Sequence, residues 1–403
     1  MKTNDLRGAA RLAAEATAGL TDLVEAMHER IARLPGGGAA LDGRTGGITG
    51  LVYQSIRGVT KVVGGSVDAL LALIAPALAA DAPAAPPRRE REALVAALNG
   101  VLGDHLAASA NPLAIRMALR SEGYALVLER DALAARLPDA RPTLLVLLHG
   151  LCMNDLQWQR NGHDHGAVLA AALDATPVYL HYNSGLPIAE NGRQFAGLMA
   201  QLLAAWPVPP QRVVLLTHSM GGLVARSALQ QAAAAGQDWP ARVDDLVFLG
   251  TPHHGAPLER AGHGVDLLLG AAPYAAPLAR LGRVRSAGIT DLRHGLSGPG
   301  HTPLPLPAGP RCWAVAATLG EGTGALKGRL FGDGLVPVDS ALGRHRDAAH
   351  TLALAPERHC VLRGTGHLGL LDSPEVATLL QRWLNIDVAG TPALPTTPQR
   401  APA

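Results

Sequence analysis

Three side chains have the types that nucleophilic acyl transfer needs. The first is Ser219, in the run Val213-Val214-Leu215-Leu216-Thr217-His218-Ser219-Met220-Gly221-Gly222. An apolar stretch leads in and an Ala-rich stretch leads out, so Ser219 falls on a strand-to-helix turn. Such a turn is sharp, and small residues two before and two after the serine let strand and helix approach closely. Gly221 meets that need, and Thr217, β-branched but small, stands on the other side. A serine hydroxyl is a weak nucleophile until a base takes its proton and a carboxylate orients the base. The base candidate is His367, in Gly364-Thr365-Gly366-His367-Leu368-Gly369. The acid candidate is Asp333, in Gly332-Asp333-Gly334-Leu335-Val336-Pro337, whose flanking glycines allow a tight turn; Asp339 is the alternative.

A tetrahedral oxyanion needs backbone N–H donors, each typically worth about 10²–10³ in rate. The apolar run Leu144–Leu148 ends in His149-Gly150-Leu151-Cys152, where Gly150 lets the backbone approach a substrate. The expected donors are the N–H groups of Leu151 and Met220. Cys152 lies beside this loop, but no motif makes it a second nucleophile. His253 and His254, in Gly250-Thr251-Pro252-His253-His254-Gly255, follow another apolar run and are expected to line the pocket or shape its turn. No third ligand at convincing spacing joins this pair, so neither a metal nor another cofactor is expected.

The elements that must position these groups show as apolar runs at Leu144–Leu148, Val178–His181, Val213–Leu216, Leu246–Leu249, Trp313–Ala316 and Val361–Leu362. They are continuous rather than alternating, which fits strands buried on both faces of a parallel sheet. Helical stretches such as Phe195–Ala205 and Gly221–Ala235 lie between them. Strand–helix alternation predicts an α/β, doubly wound, mostly parallel sheet with reacting groups beyond the strands' C-terminal ends. Ile115–Arg120 and Tyr124–Glu129, separated by Ser121-Glu122-Gly123, read as a hairpin.

Outside this core, residues 1–90 read as an N-terminal helical region and linker, with Val52, Ile56, Val59, Val63, Val67, Leu70 and Ile74 on one helical face. These helices are expected to pack on each other or on the main domain. Their alternative role is peripheral docking on a membrane or lipid surface, which their weak positive charge does little to favour. The main domain is expected over 91–388. Within it, a Gly/Pro-rich insertion over 255–310 carries apolar Leu267, Leu268, Leu269 and Leu281, as a lid over an acyl pocket would. The Pro/Ala/Thr-rich tail over 389–403 reads as disordered. Arg11 and Glu15 interrupt the early apolar stretch, so no secretory signal is evident. Ala69–Ala80 is too short to span a bilayer, and the expected location is cytoplasmic or membrane-associated. The chain has 403 residues, a formal net charge of +2 and three cysteines, which argues against phosphate-backbone binding and against a disulfide framework. Nucleic acid is therefore not an expected partner. The sequence leaves the oligomeric state open.

Thr-His-Ser-Met-Gly-Gly, His-Gly-Leu, Gly-Thr-Pro-His-His-Gly-Ala, Asp-Gly-Leu-Val-Pro and Gly-His-Leu-Gly-Leu together resemble the lipase/esterase branch of the α/β-hydrolases. Bacterial triacylglycerol lipases and the GPI-inositol-deacylase-like group are the nearest patterns. The resemblance covers about residues 112–388 and implies the α/β-hydrolase fold, with Ser219 as nucleophile, Asp333 as acid, His367 as base, and Leu151 and Met220 as oxyanion donors. It implies hydrolysis of an ester or lipid substrate. Thr217 stands where glycine is usual. The alternatives are an acyltransferase or an amidase with the same triad, or a non-catalytic binding protein of this fold.

Overall fold

The computed structural model describes residues 7, 8, 11, 89–256, 286–296, 304–320 and 332–384. The expected N-terminal helices, most of the 255–310 insertion with its four leucines, and the 389–403 tail lie outside the described residues. The chain divides into two compact units, 1–86 with 105–114 and 87–104 with 115–403. In the first, the Asn111 amide donates to the Gly8 carbonyl (3.1 Å) and Arg11 to that of Ala110 (3.4 Å).

The second unit carries the sheet. Its strands are β1 (Ala118–Ser121), β2 (Tyr124–Ala125), β3 (Thr143–Leu148), β6 (Ala175–His181), β7 (Arg212–His218), β8 (Val243–Leu249), β9 (Arg311–Thr318) and β10 (His359–Arg363). Their order across the sheet is β10-β9-β8-β7-β3-β6-β1-β2. All neighbours are parallel except β1 with β2 and β1 with β6. Every predicted apolar run became a strand. The β1–β2 hairpin is shorter than its two predicted halves and closes with Glu122 and Gly123 both at positive φ, +54° and +78°. That pair of left-handed residues matches the twist of the strands it joins. Two further short strands, β4 (Gln159–Arg160) and β5 (His163–Asp164), form a separate hairpin.

The described helices are α1 (Arg89–Ala108), α2 (Arg130–Arg136), α3 (His165–Leu173), α4 (Ile188–Ala205), α5 (Met220–Ala234), α6 (Ala287–His294), α7 (Val338–Ala341) and α8 (Pro374–Trp383). On one face of the sheet, Leu145, Leu147, Val214, Leu216, Val247 and Val315 pack with Leu169 of α3 and with Val376, Leu380 and Trp383 of α8. Strand alternation sends Leu144, Val146, Val213, Leu215 and Leu246, all fully buried, to the other face, where α4 and α5 pack together. Burial on both faces is why these strands read as unbroken apolar runs.

Because the central strands are parallel, their C-terminal ends share one edge. Leu148 of β3 pairs with Leu180 of β6 and Thr217 of β7, and His218 pairs with Leu249 of β8. That register brings His149, Ser219 and Gly250 to one edge, each one residue past the end of its strand. No helix among the described residues is long and apolar enough to cross a membrane.

Candidate active site

Ser219 sits between β7 and α5 with φ +53° and ψ −124°, and it is 3% exposed. A non-glycine residue at this φ is strained by its Cβ, and such strain persists only where the surroundings enforce it. Two constraints are visible. The Ser219 N–H donates to the Leu249 carbonyl at 2.8 Å, tying the turn to β8. Behind it, Gly221 passes so close to β3 that a Cβ there would lie 2.5 Å from the Leu148 carbonyl oxygen and 2.7 Å from that of His149. Thr217, where a smaller residue was the simplest expectation, turns its hydroxyl back to donate to the Val247 carbonyl at 2.8 Å. It therefore serves the sheet and leaves the turn clear.

Asp333 and His367 come from loops after β9 and β10. The His367 ring Nδ1 lies 2.7 Å from Asp333 Oδ2, and both side chains are buried. The other carboxylate oxygen accepts the N–H groups of Leu335 (3.0 Å) and Val336 (2.8 Å). The His367 N–H donates to the Asp333 carbonyl at 3.0 Å, so backbone and side chain clamp the same pair. Gly332, at φ +52°, makes the turn. With Nδ1 donating to a carboxylate, Nε2 is the ring's lone pair, and it has no hydrogen-bond partner among the described residues. The alternative acid, Asp339, lies on α7, away from this hydrogen bond.

His218, next to Ser219, joins the two halves of the site. Its Nε2 lies 3.1 Å from the His367 carbonyl oxygen, and the two rings are 4.7 Å apart. The contact makes Nε2 the protonated nitrogen, and burial holds the ring neutral by pushing its pKa well below the ordinary value. Nothing in the sequence around His218 marks this role, since contacts across strands leave no local pattern.

The loop after β3 completes the edge. A Cβ on Gly150 would lie 3.0 Å from Ser219 Cβ and 3.1 Å from His218 Nδ1, so this backbone borders the serine directly. The N–H groups of Leu151 and Met220 donate to no acceptor among the described residues. His149 turns away: its Nδ1 meets the Gly150 carbonyl (2.9 Å) and its ring stacks on Tyr182 at 4.3 Å, while burial pushes it down to about 3. Cys152 is buried at φ +60°, and burial raises its thiol to about 12, unfit to be a thiolate nucleophile. Behind the loop, Asp155 lies 3.1 Å from Arg120 and 3.0 Å from His181. Burial alone would raise that carboxyl, but His181 and Arg120 outweigh it and hold it low.

The two histidines after β8 diverge. His253 is buried, with Nδ1 3.1 Å from the Arg226 guanidinium and its ring edge-on to Phe248. His254 is half-buried, its N–H on the Ser340 hydroxyl and its ring 5.2 Å from that of His345. Among the described residues no hydrogen bond or ring contact joins either to Ser219 or His367, and the backbone N–H groups of both donate to Ser340 of α7.

With this geometry in place, the chain can be compared with known proteins. The family described as PGAP1-like alpha/beta domain matches residues 197–286, which span β7, the Ser219 turn, α5 and β8. The fold around that match is of the α/β class, a mostly parallel sheet with helices between its strands. Among curated proteins, none matches the chain. Solved structures similar to this chain include the mature Bacillus licheniformis lipase BlEst2, at 17% identity and TM-score 0.38 over 62% of this chain and 94% of that one. A second is a lipase-esterase related protein from Clostridium acetobutylicum, at 14% identity and TM-score 0.33 over 61% and 95%. A third is the NocB thioesterase domain in covalent complex with a fluorophosphonate nocardicin G analogue, at 18% identity and TM-score 0.39 over 61% and 96%.

Proposed function

We propose that this protein hydrolyses carboxylic esters through an acyl-enzyme on Ser219. The observation that carries the reading is the buried Asp333–His367 hydrogen bond of 2.7 Å, which leaves His367 Nε2 as a free base on the edge where the Ser219 turn is held. In this reading, His367 Nε2 takes the Ser219 hydroxyl proton as the oxygen attacks the ester carbonyl. The oxyanion is received by the N–H groups of Leu151 and Met220, the latter at the N-terminus of α5, whose dipole favours negative charge. The proton passes from His367 to the leaving alcohol. Water, deprotonated by the same nitrogen, then releases the acid and restores Ser219. Asp333 keeps the ring in the tautomer that presents Nε2 and stabilises its charged form.

Apolar Leu267, Leu268, Leu269 and Leu281 of the insertion support medium or long acyl chains. The test is a p-nitrophenyl ester series from acetyl to palmitoyl, with Ser219→Ala beside the wild type. Turnover is expected in the wild type alone, with its optimum beyond the short chains. Full turnover by Ser219→Ala would refute the assignment. An acyltransferase would instead form a new ester when an alcohol is added, and an amidase would cleave the matching anilide.

A further inference from the structure

The segment that carries His367 is a weak element by itself. It is a 3-10 turn over His367–Leu371, held internally by bonds such as Gly369 N–H to the Gly366 carbonyl at 2.9 Å. Such turns have poor hydrogen-bond geometry and rarely persist without support. Support comes from an element with no part in the chemistry above, the β4–β5 hairpin and the first residue of α3.

His165 opens α3 and is fully buried, with Nε2 2.9 Å from the Leu370 carbonyl oxygen. A carbonyl can only accept, so Nε2 carries the hydrogen and Nδ1 is an acceptor. His163 Nε2 lies 2.8 Å from that Nδ1 and must therefore donate to it. The result is a directional relay, His163 N–H to His165 and His165 N–H to Leu370. Asp164 between them caps α3 by accepting the Gly166 N–H at 2.7 Å, which fixes where the His165 ring starts. The same hairpin grips the far end of the segment. Arg160 Nε lies 3.3 Å from Asp372 Oδ2, and the Asn161 amide donates to the same oxygen.

We infer that the β4–β5 hairpin and His165 form a buttress that holds the His367 segment at the distance Ser219 requires, with His165 as a positioning residue for the base. The inference rests on the reading of His367 as the base. Asp333 fixes the ring and His218 fixes its backbone carbonyl, but both act at residue 367 itself. The buttress acts three and five residues later, at the polar backbone and side chain that flank the core-packed Leu370 and Leu371. Burial pushes His165 down to about 4, so the relay stays in one tautomer through neutral pH. A displacement of about 1 Å at a reacting group can cost about 10²-fold in rate.

The test compares His165→Ala, His165→Gln, the double variant Arg160→Ala/Asn161→Ala and Ser219→Ala on one p-nitrophenyl ester, reading kcat, KM and the pH profile of kcat/KM. His165→Ala is expected to lower kcat by about 10–100-fold with KM within about twofold and to displace the acidic limb of the profile. The Gln amide can still donate to Leu370, so His165→Gln should recover most of the rate. The double variant, at the surface, should lose kcat severalfold with its melting temperature nearly kept. Wild-type kcat in His165→Ala with Ser219→Ala inactive would overturn the buttress and leave the catalytic reading standing. Equal losses in the Ala and Gln variants with an unmoved pH profile would also overturn it, since that is plain destabilisation. If His165→Ala fails to fold, the double variant decides alone, and an unchanged kcat there refutes the inference. An active Ser219→Ala would instead refute the reading beneath it.

Discussion

At Asp333 the carboxylate is fully engaged: one oxygen receives two backbone N–H groups and the other receives His367. The geometry is built to present a single acceptor to Nδ1, which makes the choice of acid testable against its sequence neighbour. In Asp333→Asn the amide can donate to Nδ1 and select the wrong tautomer, placing a proton on Nε2. The expected result is a kcat lower by about 10⁴ with KM little changed, as for a triad whose orienting carboxylate is lost. Asp339→Asn should stay within a few-fold of wild type. Steady-state kinetics on both variants checks this, and the reverse ranking would move the acid to α7. The sequence left these two carboxylates to be separated by their glycine neighbours alone. The separation lies in a contact across 34 residues of chain, between loops after different strands.

At the scale of elements, the site depends on how closely α5 approaches β3, and two glycines on neighbouring helices predict opposite outcomes. A Cβ on Gly221 would meet backbone oxygens at 2.5 and 2.7 Å, atoms that cannot rotate away. Gly221→Ala should therefore destabilise by about 1–3 kcal/mol and lower kcat, because relief must shift the Ser219 turn. Gly197, inside α4, has nothing within 4 Å of an added Cβ. Gly197→Ala should stabilise by about 0.5–1 kcal/mol with kcat unchanged. Urea unfolding and steady-state rates on both variants test the pair. Gly221 was legible from the motif, since close strand–helix approach is what the pattern encodes. The six apolar runs were legible for a similar reason, because burial on both faces leaves an unbroken apolar signature. The β4–β5 hairpin was not: each strand has two residues, too few for any periodicity. Nor was the His163–His165 pair, which acquires meaning only when Leu370 arrives from the far end of the chain.

Over the whole molecule, the buried histidines set a limit on stability in acid. The sequence has 16 histidines and nothing in its pattern tells which are enclosed. Besides His367 in the site, the fold encloses His149, His165, His218 and His253, each at 1% exposure or less. Burial is the main cause of a depressed pKa in all four, to about 3 for His149, about 4 for His165 and well below the ordinary value for the others. In the unfolded chain each ring returns to about 6.5. Above that pH neither state binds the proton, and these groups leave stability unaffected. Below it the unfolded chain takes up protons that the folded rings refuse, so stability must fall as pH falls from about 6.5 toward the folded values. Each ring contributes about 1.4 kcal/mol per pH unit in that window. Four together would remove several kcal/mol over that window, a large share of an ordinary domain's stability. Melting temperatures between pH 8 and 5 should hold level down to about pH 7 and then drop steeply. Potentiometric proton uptake on unfolding at pH 5.5 should approach four from these rings. A level melting curve to pH 5 would mean that the rings protonate within the fold, and that the neutral His218 and His165 contacts holding His367 do not persist in acid.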